Sequence, residues 1–164
     1  MPNKTKYGLL LVFISGFIFS CRKEKTFPVV PVITFKSVNV YDLNKFKVTL
    51  GFTDGDGDIG FRPQDTEPPF DTSSVYYHNC FTRFFEKQNG VFNELTFFIP
   101  YNYRIPSITP DERNKNISGD IEINVDGFFP TKTNDTLKVE LYIVDRALHK
   151  SNIITTDEFI LNRQ

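Results

Sequence analysis

Residues 46–52 read Phe46-Lys47-Val48-Thr49-Leu50-Gly51-Phe52, with a large apolar side chain at every second position and polar or small ones between. Successive side chains of a strand point to opposite faces, so this alternation predicts a half-buried strand with one face on a core. The same period recurs further along the chain. Leu137, Val139, Leu141 and Ile143 alternate with Lys138, Glu140 and Tyr142, and Ile117, Ile121, Ile123 and Val125 with Asp120, Glu122 and Asn124. Leu95, Phe97, Ile99, Tyr101 and Tyr103 keep one phase through Pro100, whose missing N–H predicts an edge strand or a bulge. Residues 75–86 are aromatic on both faces, and Gln88-Asn89-Gly90 after them is a turn signal that makes a hairpin with the segment from Val91. In residues 32–41 the apolar phase changes between Ile33/Phe35 and Val38/Val40, as in a strand that bulges or switches sheets. A last strand is expected at about residues 153–161.

No stretch holds a helical period over three turns. Seven strands joined by turn-rich connections therefore predict an all-β, antiparallel seven-stranded sandwich, with a small barrel as the alternative. The 18 Phe fit a core between two sheets, because with no Trp and one Met they are the main large filler. The 164 residues suit one domain, and the folded part is expected from Val32 to Leu161, within residues 32–164. With 19 Lys+Arg against 20 Asp+Glu, nothing in the balance points to nucleic acid, whose binders show a basic excess or stripe.

The first residues form an address. Lys4 and Lys6 precede an apolar run from Leu9 to Phe19, which ends in Ile18-Phe19-Ser20-Cys21 before the charged Arg22-Lys23-Glu24-Lys25. That run is too short for a spanning helix, which needs about 20 apolar residues. A basic start, a short apolar stretch and a small residue before the break fit a cleaved signal over residues 1–20. An aliphatic residue three positions before a cysteine and a small one immediately before it resemble the bacterial lipobox. The resemblance implies lipidation of Cys21 as the new N-terminus, with residues 21–31 as lipidated start and Pro-containing tether. Removing Lys4 and Lys6 takes the basic residues from 19 to 17 against 20 acidic ones, so the mature chain is mildly acidic and attachment rests on acyl chains. The remaining cysteine, Cys80, has no partner for a disulfide within the domain and reads as a small buried strand residue.

One constellation carries chemistry: Thr53-Asp54-Gly55-Asp56-Gly57-Asp58-Ile59-Gly60. Carboxylates at alternate positions repel unless a cation or strong donors neutralise them, and the glycines let the backbone curl so that Asp54, Asp56 and Asp58 converge. Hard oxygen donors in a flexible loop suit Ca²⁺, which takes 6 to 8 oxygens at about 2.3–2.6 Å. Zinc fits poorly, with two His in the chain and no Cys/His spacing of the right kind. The pattern matches the first three ligand positions of an EF-hand-like loop, and Asp65 falls at the twelfth. The sixth position is Ile59 where that loop needs Gly, and strands flank it, so calcium loops between strands of extracellular sandwiches are the better comparison. A solvated acidic turn without an ion is the competing reading. If the strands alternate in direction, this loop, residues 106–116, residues 145–150 and the start of the first strand share one end of the sandwich. Asp145 is thereby a candidate fourth ligand, with Asp111 and Glu112 as weaker ones.

The lipobox, the short tether, Phe52-Thr53-Asp54-Gly55-Asp56-Gly57-Asp58-Ile59-Gly60 after a strong strand, and Val144-Asp145-Arg146-Ala147-Leu148-His149-Lys150-Ser151-Asn152 before the last strand together resemble small Bacteroidota lipoproteins with immunoglobulin-like domains. The resemblance implies an immunoglobulin-like sandwich attached to the outer membrane, on its periplasmic face or at the cell surface. It brings no activity.

Among enzyme readings, His78 and Cys80 lie two apart on an expected strand and have no evident third group to orient them. The chain contains no nucleophile-elbow, P-loop or dinucleotide motif. The expectation is a non-enzymatic module with structural Ca²⁺ that binds an envelope protein or glycan. A hydrolase or accessory enzyme using the acidic loop is the alternative.

Overall fold

In a computed structural model, which describes residues 26–108, 115–129 and 136–161, the chain is all-β. Its strands are β1 (Val32–Asp42), β2 (Lys45–Asp54), β3 (Cys80–Gln88), β4 (Val91–Leu95), β5 (Ile117–Asp126), β6 (Thr136–Ile143), β7 (Ile154–Thr155) and β8 (Phe159–Ile160). They form two antiparallel sheets, one ordered β1-β2-β5 and one ordered β4-β3-β6-β7 with β8 also on β6. The chain changes sheet between β2 and β3, between β4 and β5, and between β5 and β6, so the two sheets of the sandwich are built from interleaved stretches of sequence. The expected signal segment, residues 1–20, and Cys21 lie outside the described residues.

The inward rows are those the alternation marks. Phe46, Val48, Leu50 and Phe52 of β2 and Ile121, Ile123 and Val125 of β5 face Phe84 of β3 and Leu137, Val139, Leu141 and Ile143 of β6, all buried. The Phe46 ring binds the two sheets together. Its centroid lies 4.9 Å from that of Phe159, 5.7 Å from Phe128 and 6.3 Å from Phe84, the last two edge-on, a geometry favourable to aromatic quadrupoles. β1 slips register against β2 between Phe35 and Ser37, which is the bulge its changing apolar phase predicts. Asn89 (φ 52°) and Gly90 (φ 82°) form the tight β3–β4 turn, with two left-handed residues as a primed hairpin turn needs.

Three expectations are corrected. The third strand starts at Cys80, because Val75–Tyr77 is a single 3₁₀ turn whose Tyr76 N–H is accepted by the Ser74 hydroxyl at 3.0 Å. The alternation from Leu95 to Tyr103 is two stretches on one partner. β4 pairs with the C-terminal half of β3, and after Pro100 the chain returns so that Tyr103 pairs with Cys80, exchanging both backbone bonds (2.9 and 3.0 Å). Between them Phe98 and Ile99 are exposed, while Phe97 and Tyr101 pack against Phe84. The last strand is broken into β7 and β8, giving eight strands where seven are expected. In the gap between them Thr156 Oγ1 takes the place of a backbone acceptor, accepting the Val139 N–H at 3.0 Å.

Candidate metal centre

The inward row of β2 does not stop at Phe52. Asp54 is the next inward position, so the period that buries the phenylalanines also carries a carboxylate to the end of the core, where it is fully buried. Its Oδ2 accepts the Asp58 N–H at 2.9 Å and closes the five-residue curl. The ligand oxygens of Asp54, Asp56 and Asp58 thereby come within 4.8 Å of one another. One oxygen of each, Oδ1, is buried without a hydrogen-bond partner. Buried carboxylate oxygens carry a heavy desolvation cost when nothing pairs with them.

Three other segments hold the loop. The Phe27 and Pro28 carbonyls lie so close to Gly55 that a Cβ there would stand 2.3 and 2.8 Å from them. Gly60 (φ +83°) meets the Pro106 carbonyl in the same way, at 2.1 Å. From the β6–β7 connection, Arg146 N–H donates to the Asp58 carbonyl (3.3 Å) and Ala147 N–H to Asp58 Oδ2 (3.0 Å). The connections after the second, fourth and sixth expected strands and the entry to β1 therefore meet at one end, as the alternating topology predicts.

Asp145 is also fully buried at this end. Its two oxygens face His149, accepting the backbone N–H at 2.7 Å on Oδ1 and contacting Nδ1 at 2.9 Å on Oδ2. It stands beside the three converging carboxylates, not among them, and acts on them through its charge. Asp65 accepts the Arg62 N–H and caps a separate turn. Asp111 and Glu112 lie outside the described residues.

Burial, followed by the charges of Asp56, Asp58 and Asp145, pushes the Asp54 carboxyl up to about 6, against the donated Asp58 N–H. Asp58 is raised by burial and then by Asp145 and Asp56, with Arg146 a lesser offset. Arg146 turns its guanidinium to the Gly60 carbonyl (3.0 Å) and the Ser107 hydroxyl (3.1 Å). The donor set is thus all oxygen and strongly anionic, which fits a hard divalent cation and Ca²⁺ in particular.

A pH dependence follows from Asp54. Its folded pKa lies above the ordinary 3.8, so between about pH 4 and 6 the folded state binds more protons than the unfolded one, and without calcium stability rises as pH falls through that window. A bound cation needs the ionised carboxylates, so its contribution shrinks over the same window. Thermal midpoints with calcium and with chelator should therefore lie well apart at pH 7.5 and close together at pH 5. An equal gap at both pH values rules out Asp54 as a ligand.

Sequence reasoning missed three residues that shape this end. His149 orients Asp145, and the pair shares the i, i+4 spacing of a tight turn in which Leu148 takes φ 67°. Arg146 braces Gly60. Arg104 donates to the Tyr77 carbonyl at 2.6 Å and to the Asp65 carbonyl, and its guanidinium lies 4.8 Å from the Phe61 ring centroid, pinning the long β2–β3 connection. The signal for Arg146 and His149 was their place in Val144-Asp145-Arg146-Ala147-Leu148-His149.

The candidate nucleophile pair does not assemble. Cys80 is wholly buried and burial pushes its thiol up to about 12, while His78 is lowered by burial and by the Arg104 charge. A thiol so protonated is a poor nucleophile. No family model matches the chain, and no curated protein or solved structure matches it significantly.

Proposed function

We propose that the protein is a non-enzymatic cell-envelope lipoprotein, held to the outer membrane through lipid on Cys21, whose sandwich is stabilised by calcium and acts as a binding or structural module. The observation that carries the calcium reading is the set of three buried, unpartnered oxygens on Asp54, Asp56 and Asp58. Oxygens enclosed in this way can reach an ion but not a polymeric substrate, which favours a structural role over the hydrolase alternative. Acid–base hydrolysis also calls for two carboxylates in separated environments about 5 Å or more apart, and these three share one. The membrane reading rests on the lipobox resemblance of residues 18–21. Among the described residues no helix is long and apolar enough to cross a membrane.

The two outer faces of the sandwich support a binding role. On the β1-β2-β5 sheet Lys36 pairs with Asp120, Lys45 with Asp126 and Lys47 with Glu122, so that face is closed by its own ion pairs. The other sheet carries ion pairs as well, Arg83 with Glu140 and Lys87 with Glu158, but between them its outer row holds half-buried aromatic rings with cations laid over them. Phe81 stacks on Tyr142 (4.9 Å, 15°), Lys150 Nζ lies 3.8 Å above Tyr142, and Lys138 sits over both Phe85 and Phe92. Aromatic and cationic side chains concentrate where surfaces are bound, and this face suits an envelope protein or glycan partner.

The test separates anchor from module. A Cys21→Ser variant is expected to leave the membrane fraction and appear soluble, with its melting point unchanged. Retention in the membrane overturns the lipid anchor.

A further inference from the structure

We propose that cation binding in the Asp54–Asp58 loop latches residues 26–28 onto the sandwich, so that the ion sets how rigidly the domain is joined to its N-terminal attachment. The inference rests on the calcium reading above and adds a regulated element to it.

The loop makes two close backbone contacts, one with the entering chain itself and one with the residue beside that chain's hydrogen-bond acceptor. Gly55 touches the Phe27 and Pro28 carbonyls directly, backbone against backbone, with no side chain to yield. Gly57 (φ +70°) lies against the Lys115 carbonyl, which a Cβ would approach to 2.7 Å, and the next residue, Asn116, accepts the Phe27 N–H on its Oδ1 at 2.7 Å. The loop thus touches the entering segment on one side and the residue next to that segment's hydrogen-bond acceptor on the other.

Both contacts depend on the loop's curl. The curl brings three carboxylates within 4.8 Å, with Asp145 adding charge beside them. Without a cation their repulsion favours a wider loop. Widening moves Gly55 and Gly57, and the close contacts on Phe27, Pro28 and Lys115 cannot follow by side-chain adjustment. A bound cation offsets the repulsion, holds the curl and keeps Phe27 seated. The coupling is reciprocal: a seated N-terminal segment favours the curled loop and so tightens the ion.

The test is hydrogen exchange of the full chain in detergent, read on the peptide covering residues 26–30, with calcium and with chelator at one pH. Calcium is expected to slow exchange there at least tenfold, Asp56→Asn to abolish the slowing, and Asn116→Ala to leave the peptide fast although calorimetry still shows calcium bound. Gly55→Ala should behave as Asn116→Ala does, and the Asn116 variant keeps the test intact if Gly55→Ala fails to fold. Calcium bound by calorimetry with no change at residues 26–30 overturns the latch and leaves the cation site standing. No calcium bound at all overturns both.

Discussion

Chelating calcium is expected to lower the melting temperature of the protein by roughly 10 °C. A ligand present at a hundred times its Kd stabilises by about 2.7 kcal/mol, and each kcal/mol moves the midpoint of a domain of this size by about 4 °C. The Asp54→Asn variant sharpens the expectation. Asparagine can still accept the Asp58 N–H that closes the loop, so the curl survives, but one buried negative charge is gone. In chelator at neutral pH the variant should be more stable than the wild type, because the desolvated and repelled carboxylate has been removed. In calcium it should be less stable than the wild type, having lost a ligand. Scanning calorimetry of both proteins in both conditions gives a crossing pattern. Midpoints that ignore calcium in the wild type would sink the metal centre, and a loss of stability in chelator would show that the Asp54 charge is satisfied by the protein itself.

The second large effect belongs to the core. Phe46→Ala should cost about 3–5 kcal/mol in urea denaturation, near the upper end for a single side chain, because the cavity opens between the sheets where Phe84, Phe128 and Phe159 converge. Those three rings come from three different parts of the chain and cannot all collapse into the gap. Phe129→Ala is the internal comparison, since that ring is 75% exposed and its loss should change stability by about 0.5 kcal/mol or less. Similar costs for the two variants would mean that Phe46 does not join the sheets.

Much of this arrangement could be read from residues alone where a short-range rule governed it. A period of two buried Phe46, Val48, Leu50 and Phe52 on one face, and it also delivers Asp54 to the interior. Asn89-Gly90 specified its turn because few other pairs accept two positive φ angles. The placement of the acidic loop with residues 145–150 followed from strand direction. Other features depend on partners far away in sequence. Asn152 grips Ile33 from 119 positions away, and Arg104 collects carbonyls from Asp65 and Tyr77. No local pattern distinguishes such an Asn or Arg from an exposed one. His149 was overlooked for a related reason: its role is fixed by an imidazole contact with Asp145 that only the folded turn creates. The aromatic alternation from Leu95 to Tyr103 misled because two separate stretches lie along the same neighbour, β3, and so share one apolar phase.

The grip of Asn152 on Ile33 bears on how the molecule behaves in company. β1 borders its sheet, and a bordering strand offers unpaired N–H and C=O groups on which another chain can add a strand. At Ile33 both groups are occupied, the N–H donating to Asn152 Oδ1 and the carbonyl accepting from Nδ2, each at 2.9 Å. The side-chain amide imitates a neighbouring strand for the length of one residue and binds the two sheets at their open side. A border already spoken for at its most buried residue discourages copies of the chain that meet at high concentration from zipping into fibres.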